Sequence, residues 1–219
     1  VGGMAGIYAS TAPDGQRVAV KLMRPDVSSV ETLRNRFLLE GEILKRLNHP
    51  GTIQVISDGE TPEGEPFIVM ELLEGESLES VWKRSGETLH FGKVLRMAST
   101  ALGLLEACHQ QGIVHADIKP SNLFLLETGQ IKVLDFGVSR VPWEAPSSDG
   151  KSSVLGTPAY MAPEQAMGVD DLDGRIDIFA VGATMFALLS GKRVNDGRTN
   201  DETFIIAATT PAPSLATVA

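Results

Sequence analysis

The sequence has a single cysteine, Cys108, among 219 residues, and only two tryptophans and two tyrosines. One thiol builds neither an internal disulfide framework nor a CxxC metal site. Histidine is scarce too, with four residues in scattered contexts. Positive charge is in deficit: 19 Lys and Arg face 28 Asp and Glu, a formal net charge of −9. A non-specific hold on nucleic acid needs a basic field that displaces counterions from phosphates, which sets that class aside. A single nucleotide needs only a few local cations and backbone N–H donors, so the global sign does not exclude one. No apolar run reaches the about 20 residues of a membrane span. The longest, IFAVGATMFALL from Ile178 to Leu189, follows Ile176 and Asp177 and has the length of a buried helix. No signal peptide is visible. The chain opens on VGGMAGIY rather than on an initiator Met, and further sequence is expected on both sides.

With 42% hydrophobic and 21% charged residues the composition is that of a folded chain, long enough for one moderately large domain or a two-lobed one. The alternation in RVAVKLM predicts a strand over Arg17–Met23, behind a turn at Asp14-Gly15, and a hairpin with the glycine-rich opening. Leu33, Phe37, Leu44 and Leu47 recur at helical spacing over Glu31–Leu47, and His49-Pro50-Gly51 stops that run. Further strands are expected at Thr52–Ser57 and Pro66–Glu71, so the first part is mostly sheet with one long helix. Beyond Met70–Gly75, where a hinge is expected, helices are predicted at Leu78–Arg84 and Phe91–Gln111. A turn at Glu127–Gly129 and a strand at Ile131–Leu134 follow. The segment 139–163, rich in Ser, Gly and Pro, is longer than an ordinary connector. Near the end a short helix is expected around Glu202–Ala208, then a Pro-rich tail without apolar periodicity.

Chemistry concentrates in GIVHADIKPSNLFLL, Gly112 to Leu126, where His115, Asp117, Lys119 and Asn122 form a polar island between apolar flanks. Other motifs line up around it: VGGMAGIY at the start, VAVK at Val18–Lys21, VLDFG ending at Gly137, and GTPAYMAPEQ over Gly156–Gln165. Taken singly, the glycine turn is also a flexible hairpin, Lys21 also an exposed strand residue, and Asp135-Phe136-Gly137 also an ordinary turn. Their order and separation are what carry weight. In that order the chain resembles the protein kinase family, most closely the bacterial serine/threonine kinases of eukaryotic type, over nearly its whole length.

The resemblance implies an α+β, two-lobed protein-kinase-like fold with a small β-rich lobe (1–70) holding one long helix, a hinge (71–75) and a larger mainly helical lobe (76–219), incomplete at its C-terminus. It implies ATP-dependent phosphoryl transfer to serine or threonine hydroxyls of protein substrates, in bacterial signalling. In the glycine loop GxGxxGxV, Gly2 matches the middle glycine, Gly3 follows it, Ala5 stands at the third, and Ile7 matches the Val that packs on the base; the first glycine is not in the chain. Lys21 matches the lysine that contacts the α and β phosphates, a compact cation suited to that task. It pairs in the family with a helix glutamate that corresponds to Glu40; Glu42 points to another face of the helix. Asp117 matches the residue that accepts the substrate hydroxyl's proton, Lys119 the one that steadies the phosphoryl group, and Thr157 the threonine that contacts both. Asn122 and Asp135 match the ligands of Mg2+, with Mn2+ as an alternative, and oxygen donors beside a triphosphate suit such an ion. Met70 matches the gatekeeper beside the adenine pocket, Glu71 to Leu73 the stretch whose backbone reads the base, and Ala19 and Phe124 its two covers. His115 matches a packed structural residue rather than a metal ligand. Asp177 matches the aspartate that ties the buried helix to the backbone of the catalytic loop, which accounts for a charge at the head of an apolar run.

A catalytically silent pseudokinase acting as a scaffold is the runner-up, and would be favoured by loss of Lys21, Asp117, Asn122 or Asp135. A small-molecule kinase is a third reading, opposed by GTPAYMAPEQ. Implied partners are ATP and proteins with Ser or Thr acceptors, with self-association for autophosphorylation; neither nucleic acid nor membrane contact by this segment is expected. The implied location is the cytoplasm, including as the cytoplasmic domain of a membrane protein. Two departures matter. The family's partner arginine for Glu164 lies near the end of the domain and is not in this chain, so these 219 residues alone are expected to be weakly active or inactive. Ala116 stands where most members carry an arginine that pairs with a phosphate on the activation segment. Phosphorylation among Ser147, Ser148, Ser152, Ser153 and Thr157 is therefore not expected to be required for catalysis.

Overall fold

The computed structural model describes residues 4–136 and 156–217. Strand β1 (Ala5–Thr11) folds back on β2 (Arg17–Met23), and the turn between them is fixed by Asp14 Oδ1 accepting the Gln16 N–H at 3.0 Å. A single turn α1 (Pro25–Ser28) leads to helix α2 (Glu31–Leu47), followed by β3 (Val55–Glu60) and β4 (Pro66–Glu71). The four strands form one antiparallel sheet in the order β1-β2-β4-β3. Helix α2 buries Phe37, Leu44 and Leu47 of the predicted stripe, with Ile43 beside them and Leu33 only half-buried, and stops at Asn48 in a left-handed conformation. Phe37 meets Met23 and Ile68 in a cluster that fastens the helix to the sheet. Truncating a fully buried Phe to Ala costs about 3–5 kcal/mol, which sets the scale of that attachment.

The second region has a small antiparallel sheet, β5 (Gly75–Ser77), β6 (Leu123–Leu126) and β7 (Ile131–Val133), in that order. Only glycine fits at position 75: its φ is +150°, and a Cβ there would lie 2.1 Å from the carbonyl oxygen of Leu125. Helices α3 (Leu78–Arg84) and α4 (Phe91–His109) follow β5; α5 (Pro163–Ala166), α6 (Arg175–Ser190) and α7 (Asn200–Thr209) come later. Helix α4 packs on α6. Their buried faces join the main core, to which α2 contributes Ile43, Leu44 and Leu47. The molecule is thus the two-lobed α+β arrangement, a sheet with one long helix beside a mainly helical lobe.

Several boundaries differ from the sequence-based expectation; β3 runs on to Glu60 and β7 stops at Val133. The third strand begins at Val55 rather than Thr52, because residues 51–54 are committed elsewhere: Gly51 O accepts from Val133 N–H at 2.8 Å, and Gln54 N–H donates to Glu71 Oε1 at 2.7 Å. Helix α4 ends at His109, two residues early, and Gly112 turns the chain at φ +72°. The last helix is longer than Glu202–Ala208, since Thr199 caps it by accepting the Glu202 N–H at 3.1 Å.

Candidate active site

Residues 113–122 link α4 to β6 through buried Ile113, Val114 and Ile118, which pin the polar side chains between them. The Asp117 carboxylate is gripped on both oxygens. Thr157 Oγ1 donates to Oδ1 at 2.8 Å; Lys119 Nζ and Asn122 Nδ2 donate to Oδ2 at 2.6 and 3.1 Å. Lys119 also donates to Thr157 Oγ1 at 2.6 Å, closing a ring of three side chains. Asn122 spends its amide N–H groups on the Asp117 side chain and on Asp117 O at 2.9 Å, which leaves its amide oxygen as an acceptor.

The loop backbone is held from a distance in sequence. Asp177, fully buried in the first turn of α6, accepts the N–H of His115 at 2.9 Å and of Ala116 at 2.8 Å, and its Oδ2 meets His109 Nε2 at 2.8 Å. Ala116 has φ +65°, a left-handed conformation that costs a residue with a Cβ about 1–2 kcal/mol. Its peptide is trapped from the other side as well, since Gln165 Nε2 donates to Ala116 O at 2.8 Å. Gly156 leaves room for this contact: a Cβ there would lie 2.9 Å from Ala116 O. The Ala116 methyl packs in an apolar cluster with Val114, Ala162 and Ile176. His115 is buried, donates Nε2–H to Leu134 O at 3.1 Å, accepts the Asp117 N–H on Nδ1 at 3.3 Å, and stands edge-on to Phe136. These bonds fix the orientation of the ring and give it a structural part.

Across from this loop, Lys21 on β2 donates to both carboxylate oxygens of Glu40 on α2 at 2.6 Å. Burial pushes the Glu40 carboxyl above its ordinary range, Lys21 pulls it back, and the nearby negative charge of Asp135 adds to the rise. Glu42, two residues on, faces solvent and pairs with Arg46. Asp135 follows β7 with φ +62°, close to Asn122 through the Leu134 N–H bond to Asn122 O at 2.8 Å. Its neighbour Phe136 is buried in the main core.

Ala19 and Met70 are buried cross-strand partners on β2 and β4, and Phe124 and Leu73 are half-buried. Ala5 and Ile7 lie on β1, where Ile7 is 67% exposed. Gly2 and Gly3 lie outside the described residues, as do Gly137 and the four serines of residues 147–153. Glu71 is bound more tightly than a simple connector requires. Its N–H donates to Gln54 O at 3.0 Å, and its carboxylate accepts from Lys132 Nζ at 2.5 Å. Any reading of a base by this stretch therefore falls to backbone groups other than the Glu71 N–H. Glu164 is in no ion pair among the described residues; the nearby Arg175 holds Asp173 at 2.9 Å.

Residues 1–214 match the family described as protein kinase domain. The chain belongs to the protein kinase family. It is 36% identical over 203 residues to a probable serine/threonine-protein kinase PknB of Corynebacterium glutamicum, covering 90% of this chain and 31% of that protein. Serine/threonine-protein kinase PknA of Mycobacterium tuberculosis is 39% identical over 183 residues, 82% of this chain and 42% of that protein. The pkn3 kinase of Myxococcus xanthus is 35% identical over 198 residues, 87% of this chain and 36% of its own length. The chain thus spans less than half the length of these curated relatives.

Within this kinase chain the structure brings Asp117, Lys119, Asn122 and Thr157 into one knot and Lys21 and Glu40 into one pair. Sequence reasoning missed His109, Gln165, Lys132 and Asn195. Asn195 is buried and donates to Pro158 O and Met161 O at 2.8 and 3.1 Å, which holds the segment after Thr157. Lys132 offered the clearest signal, a charge inside the apolar strand IKV that burial obliges to find partners. Cys108 beside His109 has no chemical part: burial pushes its thiol up to about 12.

Proposed function

We propose that this chain transfers the γ-phosphoryl group of ATP to serine or threonine hydroxyls of protein substrates. The observation that carries the reading is the three-sided grip on Asp117. A carboxylate with its orientation fixed by Thr157, Lys119 and Asn122 is prepared to accept a hydroxyl proton without reorganising. Each carboxylate oxygen has two lone-pair directions; Oδ2 uses both, on Lys119 and Asn122, and Oδ1 uses one, on Thr157, which leaves Oδ1 a direction for a substrate O–H. Lys119 brings its charge next to the same carboxylate, where negative charge on a transferring phosphoryl group needs compensation. Lys21, steadied by Glu40, is the cation for the α and β phosphates; Ala19, Met70, Leu73, Phe124 and Ile7 are the surroundings of the base, and the loop of Gly2, Gly3 and Ala5 is the part that serves the phosphates.

The donor set fits Mg2+. Asn122 contributes a free amide oxygen and Asp135 a carboxylate, both hard ligands, and among the described residues no cluster of three or more His, Cys, Asp or Glu competes for a softer metal. When bound, the ion supplies charge neutralisation on the phosphate oxygens.

The small lobe over 1–70, the hinge over 71–75 and the lobe over 76–219 are the division this reading uses. Ala116 gives no cation with which to clasp a phosphate on the activation segment, and its methyl is enclosed in an apolar cluster. Catalysis is accordingly independent of phosphorylation there. Among the described residues no helix is long and apolar enough to cross a membrane; use of ATP supports a place on the cytoplasmic side, including as the cytoplasmic domain of a membrane protein. The test is transfer from γ-labelled ATP to a general protein substrate by the protein carrying this chain, beside its Asp117→Asn form. A drop of about a thousandfold is expected; equal signals would favour a silent scaffold.

A further inference from the structure

A cavity of about 970 Å³ lies away from the knot around Asp117 and includes none of its residues. Its size is at the upper end of ligand cavities, roughly 300–1,000 Å³. One wall is α4, where Lys93, Arg96 and Met97 share a face at three- and four-residue spacing. The facing wall is the β6–β7 hairpin, with Leu125 and Ile131, and the loop 49–51 after α2 closes one end. Helix and hairpin line two sides of one open groove.

Its charge runs against the molecule's. Lys93 and Arg96 are exposed and in no ion pair among the described residues. Of the acids on the rim, Glu76 is already held by Arg84 through two bonds of 2.5 and 2.6 Å, which leaves Glu127 on the hairpin opposite the two cations. The groove is thus locally positive in a chain of net charge −9, with an apolar floor. We propose that it docks an extended acidic peptide segment of a partner protein, with carboxylates on Lys93 and Arg96 and an aliphatic side chain on Met97, Leu125 and Ile131. The bound segment leans on the loop that joins two parts of the molecule. Gly51 O accepts from Val133 N–H at 2.8 Å, two residues before Asp135, and Thr52 O accepts from Lys132 Nζ at 2.8 Å. Docking is read without nucleotide and does not rest on the kinase reading.

The probe is a fluorescein-labelled peptide alternating glutamate and leucine, with a lysine–leucine counterpart as control, followed by anisotropy against the protein carrying this chain. Saturable binding of the acidic peptide is expected. Combining Lys93→Glu with Arg96→Glu should weaken it about tenfold or more, salt should weaken it in the wild type, and the basic peptide should not bind. An unchanged unfolding midpoint certifies the variant; if it fails to fold, Lys93→Gln with Arg96→Gln gives the same readings. Absence of binding, equal binding by the charge-reversed protein, or preference for the basic peptide overturns the proposal. So does free citrate competing as well as the peptide, which marks a small-anion site. A dimer in sedimentation that the charge reversal removes also overturns it, in favour of a second copy as occupant.

Discussion

Two lysine–carboxylate pairs, Lys119–Asp117 and Lys21–Glu40, share a distance of 2.6 Å and are built in opposite ways. The first joins residues two apart in one loop, and Thr157 and Asn122 brace it. The second spans 19 residues, from a strand to a helix, with both Glu40 oxygens on Lys21. A pair made within one braced loop keeps its geometry whatever the first sheet does. A pair made between β2 and α2 exists only while those elements stay in register, so it measures their placement. On the proposed function, the contrast sets proton and phosphoryl chemistry held within one loop against a nucleotide contact held between two elements.

Substitutions put a scale on this difference. Lys119→Ala strips a partner from both Asp117 and Thr157, and is expected to lower kcat about a hundredfold while leaving the KM for ATP nearly unchanged. Glu40→Gln keeps a polar partner for Lys21 but removes its charge. It should cost roughly tenfold in kcat/KM, mainly through a raised KM for ATP. If initial-rate kinetics show the two variants failing equally in kcat, the pairs are not different in kind and the comparison breaks.

Acid sharpens it next. Burial holds the Glu40 carboxyl above its ordinary value of 4.5, so as pH falls the folded protein neutralises Glu40 before an ordinary carboxylate would titrate. The kcat/KM profile for ATP should have an acid limb above the usual carboxylate range that Glu40→Gln lacks. The stability sign runs the other way. With its folded value raised, Glu40 favours the fold fully below 4.5, and that contribution is lost as pH rises through the raised value. The smallest effect belongs to the single-loop side. Ala116→Gly relieves a left-handed φ worth about 1–2 kcal/mol, but added chain entropy and the loss of a methyl buried against Val114, Ala162 and Ile176 offset it; urea unfolding should shift by less than about 1 kcal/mol, with little change in kcat.

Much of the fold is legible because local pattern and tertiary role agree. RVAVKLM alternates and forms β2 over the same residues; the stripe of Phe37, Leu44 and Leu47 marks the buried face of α2, and His49-Pro50-Gly51 ends it. The offset in β3 was not legible, since what removes Thr52–Gln54 from the strand is a set of bonds to Glu71, Lys132 and Val133. The same limit applies at the site. The types and order of Asp117, Lys119 and Asn122 are local information. His109 meets Asp177 across 68 residues and Gln165 meets Ala116 across 49. Nothing in the vicinity of either residue announces its partner; only burial of a polar group demands that one exist.

The anchoring of the loop by Asp177 makes its integrity observable at two protons. The amides of His115 and Ala116 give their hydrogens to a carboxylate rooted in the first turn of α6. They meet solvent only when that helix start lets go, so their deuterium uptake follows the opening of α6 rather than the fluctuations of a surface loop. Two exchange rates, measured with neither nucleotide nor substrate, give the fraction of time for which the loop is intact.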